Sequence, residues 1–177
     1  MKLPEFREWL RSRGEHARVL EVGTRRSSPG IPTHHQYWAP DASWMMVDSE
    51  PGIDVDQVAD IQHLTHSLGW AYYDAVIACS VLEHVERPWL ALKSIANVLT
   101  PRGKLFIQTH QSFALHYHPQ DFWRFSKEAL ELLCKDAGLT GGGYYEFPCR
   151  IVSERAPETE TGIAWLNVCI VAEKAQA

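Results

Sequence analysis

Apolar positions along the chain fall into two kinds of run. Over residues 4–13, Phe6, Trp9 and Leu10 recur at helical spacing behind Pro4, which predicts a short amphipathic helix stopped by Gly14. Residues 88–99 carry Leu90, Leu92, Ile95, Val98 and Leu99 as a helical stripe. Residues 126–137 form the best-marked helix: Ser126 suits the N-cap, Glu128 and Glu131 sit early, and Gly138 follows the end. The other runs are short and continuous. RVLEV (18–22), SWMMV (43–47), QVADI (57–61), YDAVIACS (73–80) and KLFIQT (104–109) read as strands, and the run 73–80 suits burial on both faces. Residues 144–152 and 163–172 predict two closing strands, joined by a polar loop around Pro157.

Strands alternating with helices predict an α/β fold with a Rossmann-like doubly wound sheet. The last two strands have no helix between them, so the sheet should be mostly parallel with an antiparallel C-terminal strand. A length of 177 residues, with no repeat and no dividing linker, predicts one domain over residues 1–177.

Composition narrows the function. The net charge of −5 argues against the basic surface that neutralises phosphates, so nucleic acid is not the expected partner. No apolar run approaches a membrane span. Cys79, Cys134, Cys149 and Cys169 are dispersed and form no C-x-x-C pair, which fits reduced thiols; with no apolar signal region near Met1, the expected location is cytoplasmic.

In a doubly wound sheet, ligands lie beyond the carboxyl ends of the strands. Those ends here are Gly23, Asp48, Asp60, Ser80 and Thr109. A carboxylate after the second strand can accept both hydroxyls of a ribose, which makes Asp48 the candidate. Asp60 could accept from an adenine amino group while Ile61 packs on the ring. Each acid also has a plainer reading: Asp48 opens the turn Asp48-Ser49-Glu50-Pro51-Gly52, and Asp60 is a cap.

The succession VLEVG, MMVDSEPG, VADIQHL and YDAVIACSVLEHVERPWLALKSIANVLTPRGKLFIQT resembles the class I S-adenosylmethionine-dependent methyltransferases, over residues 18–138. The later run His116-Tyr117-His118-Pro119-Gln120-Asp121-Phe122-Trp123-Arg124-Phe125-Ser126 resembles a narrower branch of that family. The resemblance implies S-adenosyl-L-methionine as cofactor. It implies roles for Glu21, Gly23 and Thr24 at the methionine end, Asp48 at the ribose, Asp60 and Ile61 at the adenine, and Ser80 near the methyl group. It departs from the family after Gly23, where Thr24-Arg25-Arg26-Ser27-Ser28 replaces alternating glycines. A cationic Arg25 beside a sulfonium is unfavourable unless it points away or meets the cofactor carboxylate.

The implied reaction is methyl transfer to a small-molecule, sugar or lipid-linked acceptor through an oxygen or nitrogen. His116 and His110 are the candidate bases, and His84, His118 and Trp123 the candidate acceptor contacts. Asp121 and Arg124 are expected to pair and pin their loop. Leu82-Glu83-His84-Val85 also resembles quinone-pathway O-methyltransferases, in which an earlier Glu completes a metal site; Ser80 replaces it here. Two adjacent ligands are too few, so no metal is expected. With no cap domain, a second copy or a partner protein could complete the acceptor pocket. The altered loop also leaves a second reading open, a non-catalytic binding protein on the same fold. A nicotinamide oxidoreductase fits less well, because no G-x-G-x-x-G is present.

Overall fold

A computed structural model describes residues 1–26, 35–117, 120–151 and 162–176. Its centre is β1 (Arg18–Val22) beside β4 (Tyr73–Cys79), two apolar runs paired in parallel. β2 (Ser43–Asp48) and then the short β3 (Gln57–Val58) extend the sheet on one side. On the other side lie β5 (Leu99–His110), β7 (Gly162–Lys174) and β6 (Leu139–Ile151). Among the described residues the sheet runs β3-β2-β1-β4-β5-β7-β6, parallel through β5 and antiparallel in the last two pairings. The expected doubly wound sheet with an antiparallel C-terminal strand is therefore present.

The pleat decides which face each side chain covers. Val19 of β1, Ala75 and Ile77 of β4, Phe106 of β5 and Cys169 and Val171 of β7 pack with Phe6 and Leu10 of α1 (Leu3–Ser12). Their neighbours Leu20, Val76, Leu105, Ile107 and Ile170 face the other way. There they meet Leu92 and Ile95 of α3 (Pro88–Val98) and Leu130 and Cys134 of α4 (Lys127–Asp136). Both faces are thus covered, which explains why the central strands read as unbroken apolar runs. Each fully buried large side chain, such as Phe106 or Ile77, contributes about 1.5–3 kcal/mol.

Several boundaries differ from the expectation. The third strand ends at Val58 because Asp60 turns its carboxylate onto the Gln62 amide and caps a 3₁₀ turn, Ile61–His63. A short α2 (Thr65–Leu68) follows, which the sequence pattern did not announce. β6 begins at Leu139 rather than at residue 144, absorbing Gly141, Gly142 and Gly143. The Ser126 cap forms as expected, its hydroxyl accepting from Ala129 N at 3.1 Å. The four cysteines are all free thiols. No helix among the described residues is long and apolar enough to cross a membrane.

Candidate functional site

The chain leaves β1 toward β2 on one side and reaches β4 on the other, so a crevice opens between them at the carboxyl ends. A cavity of about 480 Å³ lies there, a size suited to a small ligand. Val22 and Gly23 end β1 at its floor. Asp48, Ser49 and Glu50 form one wall, Ala59 to Gln62 the next, and Ser80 and Val81 follow β4. His84, Val85, Glu86, Gln120 and Phe122 close the far side.

The floor is tightly built. Gly23 has φ +79°, and a Cβ there would lie 2.2 Å from Val81 Cγ2. The turn after β4 is therefore pressed onto the end of β1. Ser80 holds a left-handed φ of +53°, uncommon for a residue with a side chain, while its N–H donates to Gln108 O at 2.8 Å.

Both strand-end acids face the cavity and also serve their own turns. Asp48 accepts from the Arg25 amide at 3.0 Å and from the Glu50 amide at 3.2 Å. Asp60 accepts from the Gln62 amide at 2.9 Å, with the buried Ile61 beside it. The two readings of each acid coexist.

The loop after Gly23 is held at its described ends. Thr24 is buried, and both its amide and its hydroxyl donate to Val47 O, at 3.2 and 3.3 Å. Its side chain is turned into the sheet rather than the cavity. Arg25 also lines the cavity, and its guanidinium pairs there with Glu50 of the turn after β2 at 2.6 Å. Glu21 lies beneath the floor, buried, with His35 Nδ1 2.5 Å from its carboxylate. Ser27, Ser28 and His34 lie outside the described residues, and so does His118.

Beyond the far wall is a knot of histidines around one carboxylate. Glu83, in the 3₁₀ turn Leu82–His84, is 0% exposed. Its Oε2 accepts from the Thr109 hydroxyl at 2.6 Å. Its Oε1 lies 3.2 Å from His110 Nε2 and 3.9 Å from His116 Nε2. Burial lowers the basicity of His110, and this outweighs the opposite pull of Glu83. The Glu83 carbonyl accepts from the amides of Phe122 and Trp123, which folds the later loop back over this turn.

Asp121 pairs with Arg124 at 2.5 and 2.8 Å, as expected. Those hydrogen bonds hold its carboxyl far below the ordinary range. Trp123 donates its indole N–H to Val85 O at 2.9 Å, and it is Phe122 that reaches the cavity.

Of the candidate residues, Gly23, Asp48, Asp60, Ile61, Ser80 and His84 line one cavity. Glu21 and Thr24 lie below it, and His110, His116 and Trp123 behind its far wall. Glu50, Gln62, Val81, Gln120 and Phe122 were not singled out from the sequence. For Glu50 a signal existed, since it stands two residues after Asp48 in a turn.

Comparison with known proteins agrees with this fold. Residues 2–141 match the family described as Methyltransferase domain. No curated protein matches the sequence. A SAM-dependent methyltransferase from Archaeoglobus fulgidus superposes with a TM-score of 0.68 at 16% identity, over 95% of this chain and 94% of that one. The 1,6-didemethyltoxoflavin-N1-methyltransferase of Burkholderia thailandensis, with 1,6-didemethyltoxoflavin and S-adenosylhomocysteine bound, gives 0.63 at 18% identity, over 96% and 76%. The methyltransferase that Haloferax volcanii pairs with its Trm112 activator gives 0.65 at 17% identity, over 98% and 92%. At these identities the structures share the fold, and the family match covers most of the chain: it belongs to the methyltransferase-domain family and is an S-adenosylmethionine-dependent methyltransferase.

Proposed function

We propose that this chain, acting as one methyltransferase-like domain over residues 1–177, methylates an oxygen or nitrogen of a small acceptor that enters past the histidine wall. One observation carries the reading: a single cavity has Asp48 and Asp60 on one side and His84, Gln120 and Phe122 on the other. The first side has the acceptor set for a nucleoside. Asp48 would accept from ribose hydroxyls, Asp60 from the adenine amino group, and Ile61 would pack on the ring. Gly23 presents bare backbone at the floor, so the methionine end can approach closely. The pairing of Arg25 with Glu50 keeps its guanidinium engaged on the turn after β2, which eases the conflict of two cations.

When bound, S-adenosylmethionine supplies an electrophilic methyl group on a sulfonium. The protein then has to align the nucleophile and exclude water, which needs no catalytic triad. The acceptor's proton leaves toward the imidazoles gathered around Glu83. The body of the acceptor meets apolar surface: Phe113 and Leu115, on the loop that carries His116, are 48% and 71% exposed. This favours an acceptor with an aromatic or lipid-like part. The Burkholderia structure shows that the same fold holds a small organic molecule and S-adenosylhomocysteine together.

The test is calorimetric titration of the protein with S-adenosylhomocysteine, followed by transfer of labelled methyl from S-adenosylmethionine to a panel of apolar phenols, alcohols and amines. Saturable binding with label transfer supports the reading. Folded protein giving no heat at millimolar ligand would overturn the cavity assignment.

A further inference from the structure

We propose that Glu83, His84 and His116 bind a divalent first-row transition ion, through one carboxylate oxygen and two imidazole nitrogens. Their ligand atoms lie within 4.8 Å of one another. An ion with bonds of about 2.0–2.2 Å sets its donors at most about 4 Å apart, so small rotations of the two half-buried imidazoles close the site. The sequence offers only the adjacent pair Glu83-His84. The third ligand comes from the loop after β5, folded back by the amides of Phe122 and Trp123 on the Glu83 carbonyl.

The hydrogen bonds around the two rings fix which nitrogen is basic. His84 Nδ1 meets the carbonyl of Gln120, and His116 Nδ1 meets the carbonyl of Ala114 at 3.2 Å. A carbonyl only accepts, so each Nδ1 carries the hydrogen. In the neutral ring the lone pair is then on Nε2. This is the tautomer of a metal-ligating histidine backed by a second partner. His116 has a further support, because Asp121 accepts from its amide at 2.9 Å and lies 3.4 Å from its Nδ1.

The carboxylate supplies the other half of the argument. Glu83 is fully buried, and among the described residues its Oε1 receives no well-directed hydrogen bond. That oxygen is 3.2 Å from His110 Nε2 and 3.9 Å from His116 Nε2. A buried carboxylate favours a positive partner, and a cation held between it and the imidazoles of His84 and His116 supplies one. Two imidazoles and one carboxylate suit zinc, iron, cobalt or nickel better than magnesium or calcium, which prefer all-oxygen sites. His84 also lines the cavity, so the remaining coordination positions open toward the space where the acceptor enters. That placement beside the acceptor rests on the methyl-transfer reading above; the ion binding itself does not.

The test uses tag-free, chelator-treated protein titrated with Co²⁺, read by visible d–d absorption and calorimetry. About one equivalent per chain should bind saturably, and His116→Ala and His84→Ala should each weaken binding at least about tenfold. His66→Ala, in the exposed stacked pair His63–His66, should leave it unchanged. Far-UV circular dichroism and thermal melting check that the variants remain folded. Absence of saturable binding, or binding equal in wild type, His84→Ala and His116→Ala, would overturn the site and leave a proton as the partner of Glu83. If S-adenosylhomocysteine fails to bind while Co²⁺ binds, the cofactor reading fails and the metal site stands.

Discussion

Glu21 and His35 are joined twice: the buried carboxylate accepts from the His35 amide at 3.1 Å and lies 2.5 Å from its ring Nδ1. Glu21 lies in β1, and His35 precedes the turn that leads to β2. The pair therefore ties the return of the chain to the strand beneath the cavity. Glu21→Gln keeps the volume but sets an amide against ring and backbone donors. It should cost about 1–3 kcal/mol in urea unfolding. If the tie shapes the methionine end of the site, S-adenosylhomocysteine affinity should fall about tenfold, and wild-type values for both would remove this role.

Asp48 has a different balance. It accepts from two backbone amides in its turn and faces the cavity as well. Asp48→Ala should weaken S-adenosylhomocysteine about 10–100-fold, the scale of hydrogen bonds to a charged group. Asp48→Asn, which keeps one acceptor oxygen, should fall between. Thermal melting without ligand should separate the turn role from the ribose role. An unchanged calorimetric affinity in Asp48→Ala would sink the ribose assignment.

Much of the fold was legible because burial on both faces leaves a plain signal. Tyr73–Cys79 is a continuous apolar run, and its alternate residues enter the two cores. Two local effects hid the rest. Gly141 and its neighbours look like a turn, yet they lie in β6. A Cβ at Gly141 would sit 2.2 Å from Val171 O, so glycine is needed where the hairpin strands approach closely. Asp60 lies in a strand-like run, but its side chain caps the following turn and stops the strand. At the site, the strand ends pointed to Asp48 and Asp60. The far wall depends on how residues 120–123 fold back onto residue 83, a contact of long sequence separation that no local pattern encodes. Glu83 stood out in the sequence only beside His84, and it is a buried carboxyl group between the buried Leu82 and Val85.

Gly23 faces two separate constraints, a positive φ and the nearby Val81 methyl. Gly23→Ala should destabilise by about 2–4 kcal/mol, combining backbone strain with overpacking against a stiff β-branched side chain. Adding Val81→Ala should recover the steric part and leave the backbone part. The double-mutant cycle measured by urea unfolding should therefore show a favourable coupling above about 0.5 kcal/mol. Strict additivity would mean that the close contact does not constrain this turn.

Asp74 gives the clearest pH dependence. Burial by itself raises its carboxyl, but hydrogen bonds from the Arg18 side chain and amide more than reverse this, so the group lies below its ordinary value. The amide donates at 2.9 Å and Nε at 3.1 Å. A carboxylate with a lowered folded value adds stability above its unfolded value of about 3.9 and loses it as pH falls through the folded value. Arg18 is 38% exposed, so solvent weakens the pair, and Asp74→Asn should cost only about 1 kcal/mol at pH 7. Measured by urea unfolding, the gap between wild type and Asp74→Asn should be full at neutral pH and shrink below about pH 4. A gap that stays constant down to about pH 3 would mean that the charge of Asp74 contributes nothing and that only its shape matters.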